Sequence, residues 1–283
     1  MKLAKKITSI ASTVAILASF AALNVDAAGK NQYSVSYATL TQAVETADGT
    51  VIPAGAVAAT VFVQGNTGFV ANTLTLDIDG EYAVVTNADN RPVIAVGNAC
   101  PNAALGSAIF GDSVCVTLAT GDSCTNNGSI FTIYATNEAN STSEFVTINS
   151  VDPVDNITPA SGMDDPNAAG TNVIVETDEN YVYYYFLSGD ADGNDTVNAV
   201  DASTILSVVN NVPGHELVVS TYSFHDYFPH IFTRAQPDAN QQGTINSTDA
   251  ELILNYTAMV GLNPNYVDPF CAVKKLALMV PNI

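Results

Sequence analysis

Residues 190–206 read DADGNDTVNAVDASTIL, and forty-eight positions later residues 238–254 read DANQQGTINSTDAELIL. Eight of these seventeen positions are identical, and Val197 against Ile245 adds a conservative pair. A match of that density is an internal repeat, two copies of one supersecondary unit. In each copy oxygen-bearing side chains recur at alternate positions, and an Asp then opens an apolar run ending in Ile-Leu. A hard divalent cation takes six to eight oxygen ligands, and a tightly curled twelve-residue loop supplies them by turning alternate residues inward. The candidate ligands of the first loop are Asp190, Asp192, Asn194, the backbone carbonyl of Thr196, Asn198 and Asp201. Those of the second are Asp238, Asn240, Gln242, the Thr244 carbonyl, Asn246 and Asp249. Two calcium ions are therefore expected. The first loop carries three carboxylates against two, so it is expected to bind more tightly. Gly243 supplies the left-handed turn at the sixth position, where the first loop has Asp195, a residue that visits that region more readily than most. Val197 and Ile245, at the eighth, are expected to meet across a short β-contact.

Upstream of the repeat the texture is all-β. Short alternating or β-branched runs at residues 56–63, 73–78, 82–85, 93–96, 114–118, 130–134, 145–148, 173–175 and 181–187 are separated by Gly, Asn, Asp and Pro. Leu74, Leu76 and Ile78 alternate with Thr73, Thr75 and Asp77, so one face of that strand is buried and the other is wet. About nine short strands without a long helical period predict a mainly β chain, an antiparallel jelly-roll β-sandwich, followed by a small α-helical unit with paired EF-hand-type calcium loops.

Charge and composition narrow the function. Of 283 residues, 8 are Lys or Arg and 28 are Asp or Glu, a formal net charge of −20. Such a chain repels phosphate backbones, so neither nucleic acid nor an anionic membrane is an expected partner. Residues 1–27 read as a secretory signal: Lys2, Lys5 and Lys6 precede an apolar stretch, and Val25-Asp26-Ala27 offers small residues before a cut after Ala27. The protein is therefore expected to be secreted, with no direct membrane anchor. Export permits disulfides among Cys100, Cys115, Cys124 and Cys271, and three pairings are open; Cys115 with Cys124 would close a short hairpin loop.

The repeated loop, with its Gly-Asp start and Val-Asn before the final Asp, resembles a type I-style dockerin module of cellulosomes. Residues 188–210 and 237–259 carry the match, the first repeat more closely than the second. The resemblance implies a unit folded around two calcium ions that docks onto a cohesin module of a larger scaffoldin. It also implies that partner choice rests on the residues just before the final Asp, here Ala199 and Val200 in one repeat and Ser247 and Thr248 in the other. The two pairs differ chemically, so docking in two equivalent orientations is not expected. One departure is the long segment 211–234 between the repeats, with Tyr222, Phe224, Tyr227, Phe228 and Phe232; it is expected to pack over the loop–helix units.

The β-region resembles a cohesin in its size, in residues 56–63, 66–69 and 74–78, and in residues 127–133 after a Gly turn. Together the two resemblances imply an adaptor scaffoldin, secreted and held at a cell surface through a scaffoldin complex. Its sandwich would receive the dockerin of an enzyme or other cellulosomal protein. The expected organisation is a signal peptide at 1–27, a cohesin-like β-sandwich at 28–187, a dockerin at 188–262 and a tail at 263–283 with no assigned role. The alternative is a dockerin-borne protein that binds or degrades polysaccharide. A glycosidase needs two facing carboxylates, whereas the acids of the β-region are scattered singly and the chain has no Trp. Tyr181, Tyr183 and Tyr185 would share one strand face, but Tyr184 and Phe186 make the other face equally aromatic, as in a packed strand. His215, His225 and His230 all fall between the repeats, away from any nucleophile, and no enzymatic activity is expected.

Overall fold

The structure is a computed structural model that describes residues 31–46, 49–137, 144–154, 174–192, 196–212 and 245–281. In chain order its strands begin with β1 (Gln32–Thr39), β2 (Val44–Glu45), β3 (Val51–Ile52), β4 (Val57–Gln64) and β5 (Phe69–Ile78). They continue with β6 (Tyr82–Val84), β7 (Ile94–Val96), β8 (Ala104–Phe110), β9 (Ser113–Cys124), β10 (Gly128–Asn137) and β11 (Val146–Val154). The C-terminal part contains β12 (Ile174–Thr177), β13 (Tyr181–Leu187), helices α1 (Ala199–Val209) and α2 (Ser247–Leu262), and β14 (Lys274–Pro281).

Two antiparallel sheets face each other. One has the order β1-β4-β10-β6, with β7 also paired to β10; the other runs β11-β5-β9-β8. Alternation explains the core between them. Val57, Ala59, Val61 and Val63 of β4, Leu74 and Leu76 of β5, Val114, Val116 and Leu118 of β9, and Phe131 and Ile133 of β10 all point inward and are buried. Tyr82 stacks on Phe145 at 4.8 Å, and the buried Tyr37 hydroxyl donates to the Val146 carbonyl at 2.9 Å, fastening one sheet to the other. Cys100 and Cys124 form a disulfide, while Cys115 and Cys271 are buried thiols, so the short hairpin closure by Cys115 is not used.

Among the described residues nine strands make the sandwich, the number the sequence suggests, but their membership differs. The runs at 173–175 and 181–187 contribute β12 and β13 to a separate three-stranded sheet whose third member is β14 from the C-terminal tail. Their places are taken by β1 and by β8, whose ALGSAIF sequence has few β-formers. Residues 1–30 and most of the segments at 152–171 and 211–234 lie outside the described residues. No described helix is long and apolar enough to cross a membrane.

The packing predicts which change unfolds the sandwich. Leu76 is completely buried between the sheets, and Leu76→Ala should cost about 3 kcal/mol by leaving a cavity. Guanidinium unfolding followed by Tyr fluorescence checks this.

Candidate metal centre

The first loop is anchored from the C-terminal tail. The Ser188 N–H donates to the Val273 carbonyl at 3.0 Å and the Ala272 N–H to the Ser188 carbonyl at 2.8 Å, extending the β13–β14 pairing to the loop's entrance. Gly189 follows at φ +91°, a conformation that favours glycine, and the Val197 and Ile253 side chains stand 3.1 and 3.4 Å from where a Cβ would be.

Three carboxylates converge beyond it. One oxygen each of Asp190, Asp192 and Asp201 lie within 4.8 Å of one another; Asp190 and Asp201 are buried and Asp192 half-buried. Asp201 is held by backbone donors: Oδ1 accepts from Ala191 N at 2.7 Å and Asp192 N at 3.1 Å, and Oδ2 from Asn198 N at 2.8 Å. Burial holds its carboxyl well above the usual range. The charges of Asp192 and Asp190 push the same way, and the backbone N–H groups of Asn198 and Asp192 pull against them. Three like charges gathered in a low-dielectric pocket with their oxygens converging fit a hard dication, whose charge turns their mutual repulsion into attraction.

The loop also starts a helix. The Asn198 side chain accepts from Val200 N at 2.7 Å, so Asn198 and Asp201 form a capping box at the start of α1. The second repeat builds the same device: Asn246 Oδ1 accepts from Thr248 N at 2.8 Å, and the buried Asp249 accepts from Asn246 N at 2.9 Å. Asn194, Asp238, Asn240, Gln242 and Thr244 lie outside the described residues, and the Thr196 side chain is exposed. Val197 and Ile245 share one apolar cluster with Ile205, Leu206, Ile253 and Leu254, and no β-bridge joins them among the described residues. Cys271 lies in the same cluster. Burial raises its thiol pKa, as do the charges of Asp268, Asp201 and Asp249, so it senses the final carboxylate of both repeats.

Of the four residues expected to face a partner, Ser247 and Thr248 are exposed, Val200 is half-buried and Ala199 is buried in the apolar cluster. What sequence reasoning missed is where the helices rest. They lie on the outer face of the four-stranded sheet. Ser203 Oγ donates to the Thr120 carbonyl and Ser207 Oγ to the Gly121 carbonyl, the latter at 2.9 Å. Those carbonyls belong to a β9 segment where the β5 register jumps between Phe69 and Ala71, which releases them from the ladder. Thr117 Oγ1 donates to the Leu254 carbonyl at 2.8 Å, and Asn255 Oδ1 accepts the edge-strand N–H of Ser107 at 3.2 Å. A signal for this exists in the sequence: residues 114–119 are apolar or small at both parities, as in a strand covered on both faces.

No family model and no curated protein matches the chain. Among solved structures it is similar to a non-cellulosomal cohesin from the hyperthermophilic archaeon Archaeoglobus fulgidus, with 14% identity over 35% of this chain and 67% of that one and a TM-score of 0.29. The observed architecture is mainly antiparallel β.

The raised pKa of Asp201 has a definite sign. Without a cation, the loop–helix unit is favoured below the unfolded value of about 3.9 and loses stability as pH rises through the higher folded value. Asp201→Asn should remove that share of the pH dependence and weaken calcium binding by more than about tenfold. Calorimetric calcium titration and chelated unfolding curves between pH 4 and 7 read both effects.

Proposed function

We propose that the chain is a non-catalytic protein–protein adaptor of an extracellular, scaffold-borne complex, with a calcium-folded loop–helix pair as one arm and the β-sandwich as the other. One observation carries this reading. The repeats converge so that each final Asp is buried and caps a helix, and the first gathers three carboxylates within 4.8 Å. Such a cluster is a folding element that works only with its ion, so metal-binding free energy becomes folding free energy. Asp190, Asp192 and Asp201 would hold the first ion with the Thr196 carbonyl and Asn194, and Asp249 would contribute to the second. The ion supplies charge neutralisation and loop closure, not chemistry on a substrate.

The dockerin resemblance names the partner class for this arm, a cohesin module of a larger scaffoldin. Exposed Ser247 and Thr248 and half-buried Val200 remain on its accessible side. For the sandwich arm the proposed partner is a dockerin-bearing protein. The disulfide between Cys100 and Cys124 accords with secretion. A polysaccharide-acting role has less support: Tyr181 is the exposed end of β13, and β13 is the central strand of its sheet.

The test uses the full-length protein, immobilised in calcium and offered panels of cohesin modules, dockerin modules and plant polysaccharides. Capture of a cohesin or dockerin module, lost on chelation, with no glycan retention, is the expected outcome. Retention of a polysaccharide with no module captured would overturn the adaptor reading.

A further inference from the structure

The contact between the helices and the four-stranded sheet has the make-up of a docking interface rather than of a shared core. The described sandwich core between the sheets contains no residue of α1 or α2, and the helices bury only small sheet residues, Ala71 and Ala119 in one cluster and Ala108 and Cys115 in another. The sandwich core is therefore complete without the helices. On β9 the alternation separates the two: Val114, Val116 and Leu118 face inward, while Cys115, Thr117 and Ala119 face the helices. The sheet surface is kept small to admit helix backbone. A Cβ on Gly106 would stand 2.4 Å from the Leu254 carbonyl carbon, and one on Gly121 would stand 2.9 Å from the Leu206 carbonyl oxygen. Four polar contacts among the described residues join a side chain on one body to a backbone group on the other, and each of those groups can turn to water on separation.

Attachment and cation loop are also continuous in the chain. Asp201 both closes the carboxylate cluster and caps α1, and Ser203 and Ser207, the residues bonded to β9, sit about half a turn and about one and two-thirds turns further on. If the three carboxylates spread apart, the cap goes with them and the serines lose their register on the β9 carbonyls.

We propose that the outer face of β8, β9 and β5 is a helix-docking surface that this chain's own loop–helix pair occupies, and that the cation at Asp190, Asp192 and Asp201 holds it closed. Withdrawing the cation frees the pair and uncovers the face. The adaptor is then a gated one, its sheet face self-occupied in calcium. This rests on the reading that the loop binds calcium.

The chain carries its own reporter. Cys115 is fully buried beneath α2, where a Cβ on Gly261 would come within 3.2 Å of its sulfur, and burial pushes its thiol up to about 11. Cys271 is buried inside the helix cluster itself. Full-length protein, with the disulfide intact, would be treated with a maleimide in saturating calcium and again after chelation. Modification at each thiol is then followed by peptide mass spectrometry, and calcium binding is measured calorimetrically on the same sample.

Calcium at a hundred times its Kd lowers the open population by about a hundredfold, so Cys115 labelling should accelerate by about that factor on chelation. Acceleration at Cys115 with Cys271 still protected would mean that the pair lifts as a folded body; acceleration at both would mean that it unfolds as it leaves. Either supports the gate. Calcium binding with Cys115 equally protected in both conditions would overturn the gate and leave the calcium reading standing. No calcium binding would overturn both.

Discussion

Three carboxylates within 4.8 Å, two of them buried, repel one another strongly enough that the loop from Asp190 to Asp201 needs a compensating charge to stay closed. Backbone N–H groups of Ala191, Asp192 and Asn198 turn toward Asp201 and provide part of the compensation. The proposed cation provides the rest. Because Asp201 is also the third helical residue after the Asn198 cap and closes its capping box, the electrostatic state of the loop and the start of α1 are coupled. The second repeat copies the capping geometry with Asn246 and Asp249, and Val197 and Ile245 join one apolar cluster that also holds Cys271.

The sandwich has a different source of stability. Its core is an alternation of Val, Leu, Ile and Phe from two sheets, sealed by Tyr82 on Phe145 and linked by the 100–124 disulfide, and none of that depends on the loops. Two independently justified bodies are therefore joined over one face of β9. One inward parity of that strand serves the core and the outward parity serves the helices. Loss of the loop–helix pair would leave the inter-sheet core in place with a newly bare sheet face, whereas loss of the sandwich core would leave the helices with nothing to rest on.

Much of this is legible in the sequence, for physical reasons that differ by element. The repeat is legible because ligand spacing is a chemical requirement that fixes residue type position by position, from Asp190 to Asp201 and again toward Asp249. Strand β5 is legible because Leu74, Leu76 and Ile78 alternate with polar residues. Strand β8 is not: Gly106, Ser107 and Ala108 are small because α2 approaches closely, a reason that lies far away in the chain. The same distance hides the partner of Ser203 and Ser207, since a helix serine looks alike whether it meets water or a β-bulge carbonyl. The tail has no periodic signal strong enough to announce β14. Its role emerges only through pairing with β13 and through Ala272 and Val273 bracketing Ser188.

Amide hydrogen exchange of the full-length protein, with calcium and after chelation, reads the cation's hold on helix and sheet in one sample. The account predicts that amides of Ser203 to Ser207 in α1 are protected in calcium and exchange rapidly without it, while those of Phe131 and Ile133 in β10 stay protected in both. Equal protection, with and without calcium, of both α1 and the Ser107 amide that Asn255 covers would show that no cation folds the loop–helix unit or holds it on the sheet, and would contradict this reading.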